Sequence, residues 1–337
     1  SSGQEYVSQQ ELETWSKKDP VIQFENYLLK EKVIHKDNNK EFSSEYSKLI
    51  DDEWSKSESK EEVNFNESNE LSDVFKNIDL QAHNDSNKSS NVRFVDAISQ
   101  AIHLSMKEDR DLIIMGQDIA EYGGVFKVTK GMSSVFGKER VRNTPLCESV
   151  ILSASMGLSI LNIPSIVEMQ FGDFVSSGFT AIVNLISKSY YRWGQNASIV
   201  IRMPCGGGVG AGPFHSQTNE SWFTTVPGLK VVYPSFPKEA KGLLINSIKD
   251  PNPVLFFEHK KLYRTISEDV PSEPYITPFG KAILRVEGDD MCIISYGLGI
   301  HWALEEVKKF PQAKIAVLDI NTLVPLDHDS IFDLVKK

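Results

Sequence analysis

The chain has 337 residues, of which 40% are hydrophobic, and its 36 basic and 46 acidic side chains give a net charge of −10. This length predicts two domains with additional segments, and an acidic chain without a basic block argues against a nucleic-acid partner. The sequence shows no apolar run long enough to cross a membrane, no signal-peptide pattern at its start, and three separated cysteines without metal-ligand spacing. Unpaired cysteines are typical of a reducing compartment, so we expect a cytoplasmic protein without a disulfide framework.

The first 91 residues contain two segments of different composition. Residues 1–34 place apolar side chains among charged ones, and Asp19-Pro20 predicts a helix start, because proline suits the first helical turn. Residues 35–91 are rich in Lys, Glu, Ser, Asn and Asp, so they bury too little apolar surface to offset their ordering entropy. This composition predicts a largely flexible linker with short helical pieces near 46–54 and 71–78, and a solvated helical face is the alternative.

A globular pattern begins at Val92, where apolar residues recur at helical spacing as far as Met106. Short apolar runs predict buried strands at 111–115, 165–170, 198–203, 229–233 and 254–258. Helices are predicted between them, after Glu148 and over 173–191 and 238–248. Strands that alternate with helices at this spacing predict a doubly wound, mostly parallel α/β sheet.

A proline-rich connection at 271–278 precedes a second alternation of strands and helices. Strands are predicted at 291–296 and 314–320, and helices at 300–309 and 330–337. The last helix is expected to be cut short, so the second α/β domain is predicted to be incomplete.

Glu148 is the most informative single residue, because it precedes a segment, 150–164, that contains no charged residue. A carboxyl group at the start of a buried helix would have a raised pKa and could carry a proton near neutral pH. The alternative is that Glu148 only caps the first helical turn, where an acidic side chain favours the helix dipole. Glu168 could pair with Glu148, but a structural role for one of the two is the expected arrangement.

The second candidate is a glycine-rich loop over 205–212, directly after a predicted strand and just before His215. Glycines let a backbone approach a ligand closely, and ligands of open α/β sheets bind at the carboxyl ends of strands. The loop matches neither a phosphate-binding Walker loop nor the dinucleotide fingerprint. His215 is a candidate acid or base, and an exposed loop imidazole is the alternative.

Several motifs occur together in an order that resembles one protein family. They are 115–119 (Met-Gly-Gln-Asp-Ile), 123–127 (Gly-Gly-Val-Phe-Lys), 144–148 (Thr-Pro-Leu-Cys-Glu), 168–174 (Glu-Met-Gln-Phe-Gly-Asp-Phe), the glycine-rich loop through 217, 227–232 (Pro-Gly-Leu-Lys-Val-Val) and 256–264 (Phe-Phe-Glu-His-Lys-Lys-Leu-Tyr-Arg). Over 92–337 the chain resembles the β-type half of the thiamine-diphosphate-dependent decarboxylating component of 2-oxo acid dehydrogenase complexes. Residues 1–34 resemble the C-terminal tail of the α-type half.

The resemblance implies a domain plan and a fold. Residues 1–34 would be the α-type tail, 35–91 the linker, 92–268 a doubly wound pyrimidine-binding domain, and 269–337 an incomplete second α/β domain of transketolase C-terminal type.

The resemblance also implies site residues. Glu148 would contact the aminopyrimidine ring of thiamine diphosphate, and His215 would help to pass the acyl group to a lipoyl arm. The remaining implied positions are Leu146, Gln170 and Phe174 in the cofactor pocket, and Ala197, Ile199, Val200, Ser247, Asp250 and Asn252 around a potassium ion, the first three through backbone carbonyls. The motif that binds the diphosphate and Mg²⁺ belongs to the α-type half, so the isolated chain is expected to be inactive.

The implied activity is oxidative decarboxylation of a 2-oxo acid, with branched-chain acids such as 2-oxoisovalerate favoured, followed by acyl transfer to a lipoyl group of the acyltransferase component. The implied partners are that component and an α-type half, fused upstream or on a second chain, in a dimer of α–β units. A pyruvate or acetoin dehydrogenase component is an alternative on the same machinery. A non-catalytic scaffold is a further alternative, but a scaffold would need none of Glu148, Gln170 and His215.

Overall fold

The computed structural model describes residues 7–62, 64–78 and 88–337, and the chain divides into two units, Ser1–Phe65 and Asn66–Lys337. In its described part the first unit is helical, with α1 (Gln9–Ser16), α2 (Pro20–Lys30) and α3 (Asn38–Glu58). Helix α2 starts where the sequence predicts, because the Asp19 carboxylate accepts hydrogen bonds from the backbone N–H groups of Val21 and Ile22.

Helix α3 lies in the predicted linker and is longer than the short helical piece expected near 46–54. Its 21 residues are continuous, and none of their side chains is buried. The alternative, a solvated helical face, is therefore the right one for this part of the segment. Glu and Lys are good helix formers, so a composition that cannot build a core can still form an exposed helix. Residues 79–87 of the predicted linker lie outside the described residues.

The second unit holds the remaining elements. In chain order they are α4 (Glu67–Ser72), β1 (Ser89–Arg93), α5 (Phe94–Glu108), β2 (Ile113–Gly116), α6 (Met132–Phe136), β3 (Val141–Asn143), α7 (Glu148–Ile160), β4 (Ser165–Glu168), α8 (Ser189–Trp193), β5 (Ile199–Cys205), β6 (Lys230–Val232), α9 (Pro237–Lys249), β7 (Val254–His259), α10 (Leu262–Thr265), β8 (Ser267–Pro271), β9 (Ile283–Val286), β10 (Met291–Ser295), α11 (Leu298–Val307), β11 (Ile315–Asp319), β12 (Thr322–Val324) and α12 (His328–Val335).

A seven-stranded sheet forms the centre of this unit, in the order β12-β6-β7-β5-β4-β2-β3. All neighbouring strands are parallel except β12, which pairs antiparallel with β6. One apolar cluster joins the sheet to α5 and α9, and a second joins it to α7 and the segment after β4. Helices therefore cover both faces, and the predicted doubly wound α/β fold is confirmed.

Two smaller sheets flank the central one. Strands β10 and β11 are parallel and β9 joins them antiparallel, as the core of the C-terminal part. Strands β1 and β8 pair antiparallel, so that Val92, predicted as helical, lies opposite Glu268 in a strand, and α5 begins two residues later.

The segment predicted as a single helix over 173–191 is helical but is not one continuous α-helix. The chain forms a 3-10 turn (Gly172–Gly178), a π-helical segment (Ala181–Ile186) and the short α8 instead. Within this run Gly178 packs closely against α7, where a Cβ would lie 2.3 Å from Cδ1 of Leu152. The neighbouring Ser177 thereby reaches the Glu148 carboxylate.

Across the described ranges 7–62, 64–78 and 88–337, none of the helices combines the length and apolar character that a membrane span needs.

Candidate active site

The candidate residues gather at one edge of the central sheet. Strands β2, β4, β5 and β7 are parallel neighbours, and the segments that carry Gln117, Gln170, the glycine-rich loop and Lys260 follow directly after them. This edge is where open α/β sheets bind ligands.

Glu148 begins α7, and both of its carboxylate oxygens have a donor. Gln117 Nε2 donates to Oε1 at 3.0 Å, and Ser177 Oγ donates to Oε2 at 2.8 Å. The side chain is half-buried, so it is less buried than the sequence predicts. The sequence did not indicate Gln117 or Ser177, because neither lies near Glu148 along the chain. Two donors fix the plane of the carboxylate and stabilise its charge.

Helix α7 itself is less buried than its charge-free sequence predicts. Ile151, Leu152 and Met156 are in the core, but Val150 is 61% exposed and Leu161, just after the helix, is 69% exposed. Apolar composition predicts burial only where a neighbour is present, and in this chain one face of the helix has none among the described residues.

A cavity of about 370 Å³ opens beside the Glu148 carboxylate. It is lined by Leu146, Glu148, Asp173, Phe174, Ser176, Ser177, Phe214 and Gln217. Leu146 and Phe214 are 79% and 77% exposed, so large apolar side chains stand at its open side. Exposed apolar groups around a polar centre mark a surface that a ligand or partner covers.

His215 reaches this site through aromatic contacts. Its ring centre lies 4.6 Å from that of Phe171 and 5.4 Å from that of Phe174, both edge to face. The structure therefore brings His215, Phe174, Leu146 and Glu148 to one region.

The loop before His215 needs its first glycine. Gly206 has φ of +76°, and a Cβ at this position would lie 2.2 Å from Nε2 of His259. The glycine lets the loop leave β5 directly against the end of β7.

Gln170, implied for the cofactor pocket, contacts Asp118 in this structure. Its Nε2 donates to Oδ2 of Asp118 at 3.1 Å, and it is not among the side chains that line the cavity. Gln117, next to Asp118, makes the contact with Glu148 instead.

Behind the site lies a buried ion network centred on Arg202 of β5. Its Nε and Nη2 donate to the two carboxylate oxygens of Glu258 at 2.7 Å each, and its Nη1 donates to Glu168. Burial raises the pKa of Glu168, against the opposing charge of Arg202. Burial alone would lower the pKa of Arg202, but Glu258 and Glu168 raise it. Glu168 thus has a structural partner and does not pair with Glu148.

The residues implied around a potassium ion also lie near one another. The Ala197 N–H donates to the Pro251 carbonyl at 3.1 Å, which joins the start of β5 to the loop after α9. Ile199 and Val200 follow in β5, and the Ala197 carbonyl accepts from the Ile199 N–H at 2.8 Å.

The side-chain oxygens of this group already have protein partners. Lys230 Nζ donates to Asp250 Oδ2 at 2.5 Å, and Asn252 Oδ1 accepts from the Lys76 N–H at 2.8 Å. The Ser247 hydroxyl donates to the Leu243 carbonyl, so its oxygen still has acceptor capacity. Within residues 7–62, 64–78 and 88–337, no group of three or more His, Cys, Asp or Glu is arranged to hold a metal ion.

Comparison with known families gives two matches. Residues 90–265 match the family described as the transketolase pyrimidine binding domain, and residues 280–337 match the transketolase C-terminal domain.

Three relatives are similar over most of the chain. The 2-oxoisovalerate dehydrogenase subunit beta of Bacillus subtilis is 42% identical over 248 residues, which cover 72% of this chain and 76% of that protein. The pyruvate dehydrogenase E1 component subunit beta of Staphylococcus aureus is 40% identical over 72% of this chain and 76% of its own length. The subunit of the same name from Acholeplasma laidlawii is 38% identical over 73% of this chain and 76% of its own length.

A solved structure, titled "Split gene transketolase, inactive beta4 tetramer", matches with a TM-score of 0.58 and 16% identity over 73% of this chain and 76% of that one. It supports the fold alone. The identity to the dehydrogenase subunits, together with the matched pyrimidine-binding domain, shows that the chain belongs to the E1 β-subunit family of the thiamine-diphosphate-dependent 2-oxo acid dehydrogenases.

Proposed function

We propose that this chain forms the pyrimidine-side half of the active site of an enzyme that decarboxylates a 2-oxo acid oxidatively and passes the acyl group to a lipoyl group. The observation that carries the proposal is the pair of donors on Glu148, Gln117 and Ser177, at the wall of a cavity that Phe174 also lines. A carboxylate held in this way is suited to share a proton with a ring nitrogen.

The residues present fit the pyrimidine end of thiamine diphosphate. The cavity combines one oriented carboxylate with the apolar side chains of Leu146 and Phe174. A ligand ring that is aromatic and carries polar nitrogens at its edge needs both kinds of contact. When bound, thiamine diphosphate supplies a nucleophilic carbon and an electron sink for the loss of carbon dioxide. Glu148 would hold or release a proton at its Oε atoms, Phe174 and Leu146 would exclude water, and His215 would exchange a proton during acyl transfer.

The diphosphate and its Mg²⁺ are proposed to bind to an α-type half, whether fused upstream or on a separate chain. The exposed Leu146 and Phe214 at the open side of the cavity support this, because such a half would cover them. The second partner is the lipoyl-bearing acyltransferase component, and the working assembly is a dimer of α–β units.

Potassium is proposed for the loop after α9. Backbone carbonyls with a carboxylate and an amide oxygen are a suitable ligand set for K⁺. Lys230 already places an ammonium on Asp250, so the ion would have to share this carboxylate with the lysine.

The substrate is proposed to be a branched-chain 2-oxo acid. The support is the relative from Bacillus subtilis, which is named for 2-oxoisovalerate and is 42% identical to this chain. The pyruvate dehydrogenase subunits, at 40%, are almost as similar, so pyruvate is the second candidate.

The test is decarboxylation by the full-length protein together with its α-type half, thiamine diphosphate, Mg²⁺ and an artificial electron acceptor. We expect turnover with a lower KM for 2-oxoisovalerate than for pyruvate, and about 10²–10⁴-fold lower kcat for Glu148→Gln. Glu139→Gln is the matched control, because the Glu139 side chain is 95% exposed. Equal activity of Glu148→Gln and the wild type would contradict the catalytic role of Glu148. Turnover by the isolated 337-residue chain would contradict the proposal that this chain carries only half of the active site.

A further inference from the structure

A buried lysine beside the site lacks a hydrogen-bond partner among the described residues. Lys260 follows β7, and its backbone N–H donates to the Cys205 carbonyl at the end of β5 at 3.0 Å. The residue is 3% exposed, and within the described part of the chain its Nζ has no hydrogen-bond partner. Burial lowers the pKa of this ammonium. A buried ammonium without a hydrogen bond is costly, so its presence calls for an explanation other than folding.

The position of this ammonium connects it to the proposed site. Its Nζ lies 5.5 Å from the ring centre of Phe171, the same ring that His215 contacts at 4.6 Å. The charge of Asp173, which lines the cavity, opposes the effect of burial on the pKa of Lys260. Asp173 Oδ1 accepts from the Gln217 N–H, whereas its Oδ2 lacks a partner among the described residues. Phe171 packs edge to face on Phe174, which lines the cavity, with ring centres 5.5 Å apart, so Lys260 lies one aromatic ring behind that wall.

The cavity needs a positive charge for an anionic substrate. Its described lining contains the two carboxylates of Glu148 and Asp173 and neither Lys nor Arg. Arg202, the other buried cation of this edge, already has both Glu168 and Glu258 as partners. The flexible four-carbon stem of a lysine lets its ammonium turn toward a ligand.

We propose that Lys260 binds the carboxylate of the 2-oxo acid beside Phe171 and His215. This inference rests on the proposed function, since it names the group that holds the substrate of that reaction. The carboxylate leaves as carbon dioxide when its bond to the carbonyl carbon breaks, and the bond's electron pair stays on that carbon. The negative charge thus moves away from Lys260 during the reaction. The ammonium contributes to binding of the acid and not to the chemical step.

The test is Lys260→Met in the full-length protein with its α-type half, with Lys261→Met as matched control. Lys261 is the adjacent residue, carries the same charge and is exposed. We expect the KM for 2-oxoisovalerate to rise about 10- to 100-fold, as for loss of a charged hydrogen bond, with kcat within about twofold of the wild type. Lys260→Arg should restore part of the affinity, because it keeps the charge. The melting temperature of Lys260→Met should stay the same or rise, because an unpaired buried charge is removed.

A second measurement separates this inference from the proposed function. Calorimetric titration of the same proteins with 2-oxoisovalerate, in the absence of thiamine diphosphate, reports binding of the anion without turnover. Weaker binding by Lys260→Met but not by Lys261→Met would support the assignment even if the wild type shows no decarboxylation. Unchanged affinity and KM in Lys260→Met would overturn it, and so would a fall in kcat and stability at constant KM, which indicates a structural role.

Discussion

Replacement of Arg202 by Met is the sharpest test of how this sheet is held together. Arg202 is 0% exposed and pairs Glu168 of β4 with Glu258 of β7, so a single guanidinium links three neighbouring strands. The Tyr263 hydroxyl adds a donor to Glu258 at 2.6 Å. In the variant two buried carboxylates lose their cation while only the Tyr263 hydroxyl remains on one of them.

The expected loss is large. Removal of one partner from a buried ion pair costs about 3–5 kcal/mol, and two carboxylates are orphaned here, so we expect roughly 5 kcal/mol. For a unit of this size, 1 kcal/mol lowers the melting temperature by about 2–4 °C, which gives a fall of roughly 10–20 °C.

The assay is thermal unfolding of the full-length protein between about pH 5 and pH 8. Burial already raises the pKa of Glu168, and loss of the Arg202 charge raises it further. A carboxylate with a raised pKa in the folded state stabilises that state below its unfolded pKa and loses this contribution as pH rises. The deficit of Arg202→Met should therefore narrow toward pH 5.

Arg142→Met provides the control, because Arg142 is exposed and its contacts are with neighbouring Glu139. We expect a change within about 0.5 kcal/mol for it. A loss below about 1 kcal/mol for Arg202→Met, or a deficit that does not depend on pH, would refute the reasoning.

Two further predictions concern pH and metal. Burial, with the charges of Lys260 and Lys261, lowers the pKa of His259 to about 4. Between about pH 6.5 and pH 4 this histidine is protonated in the unfolded chain but not in the folded chain. The free energy of unfolding should therefore fall by roughly 1–3 kcal/mol as pH drops through this window. His259→Asn should flatten this slope in a pH series of melting curves, and an unchanged slope would exclude His259 as its source. Replacement of Na⁺ by K⁺ at constant ionic strength should raise the melting temperature of the wild type but not of Asn252→Ala; an equal response of both proteins would argue against the proposed potassium site.

The parallel sheet could be predicted because its strands are continuous apolar runs bounded by glycine and polar residues. Strands β2, β4, β5 and β7 lie within two residues of their predicted bounds at both ends. The change of helix type within 173–191 could not be predicted, because apolar spacing does not distinguish 3-10, π and α turns over so few residues.

Some residues of the candidate site could likewise be predicted from the sequence, and others could not. Motif resemblance indicated Glu148, Phe174 and His215, and the structure brings them to one region. The donors Gln117 and Ser177 could not be predicted, since their roles depend on where β2 and the 3-10 turn end in space. The sequence also did not indicate Lys260, because a lysine directly after a strand is expected at the surface. Only the structure shows that it is buried.

The short strand β12 has a consequence for how this protein can be divided. It lies in the region matched to the C-terminal domain, yet it pairs with β6 at the edge of the sheet that belongs to the pyrimidine-binding region. A fragment that stopped after residue 265 would leave the backbone N–H and C=O groups of β6 open on that side. Unpaired sheet edges recruit strands from other chains, so aggregation of such a fragment would reflect a lost neighbour and not a defective core.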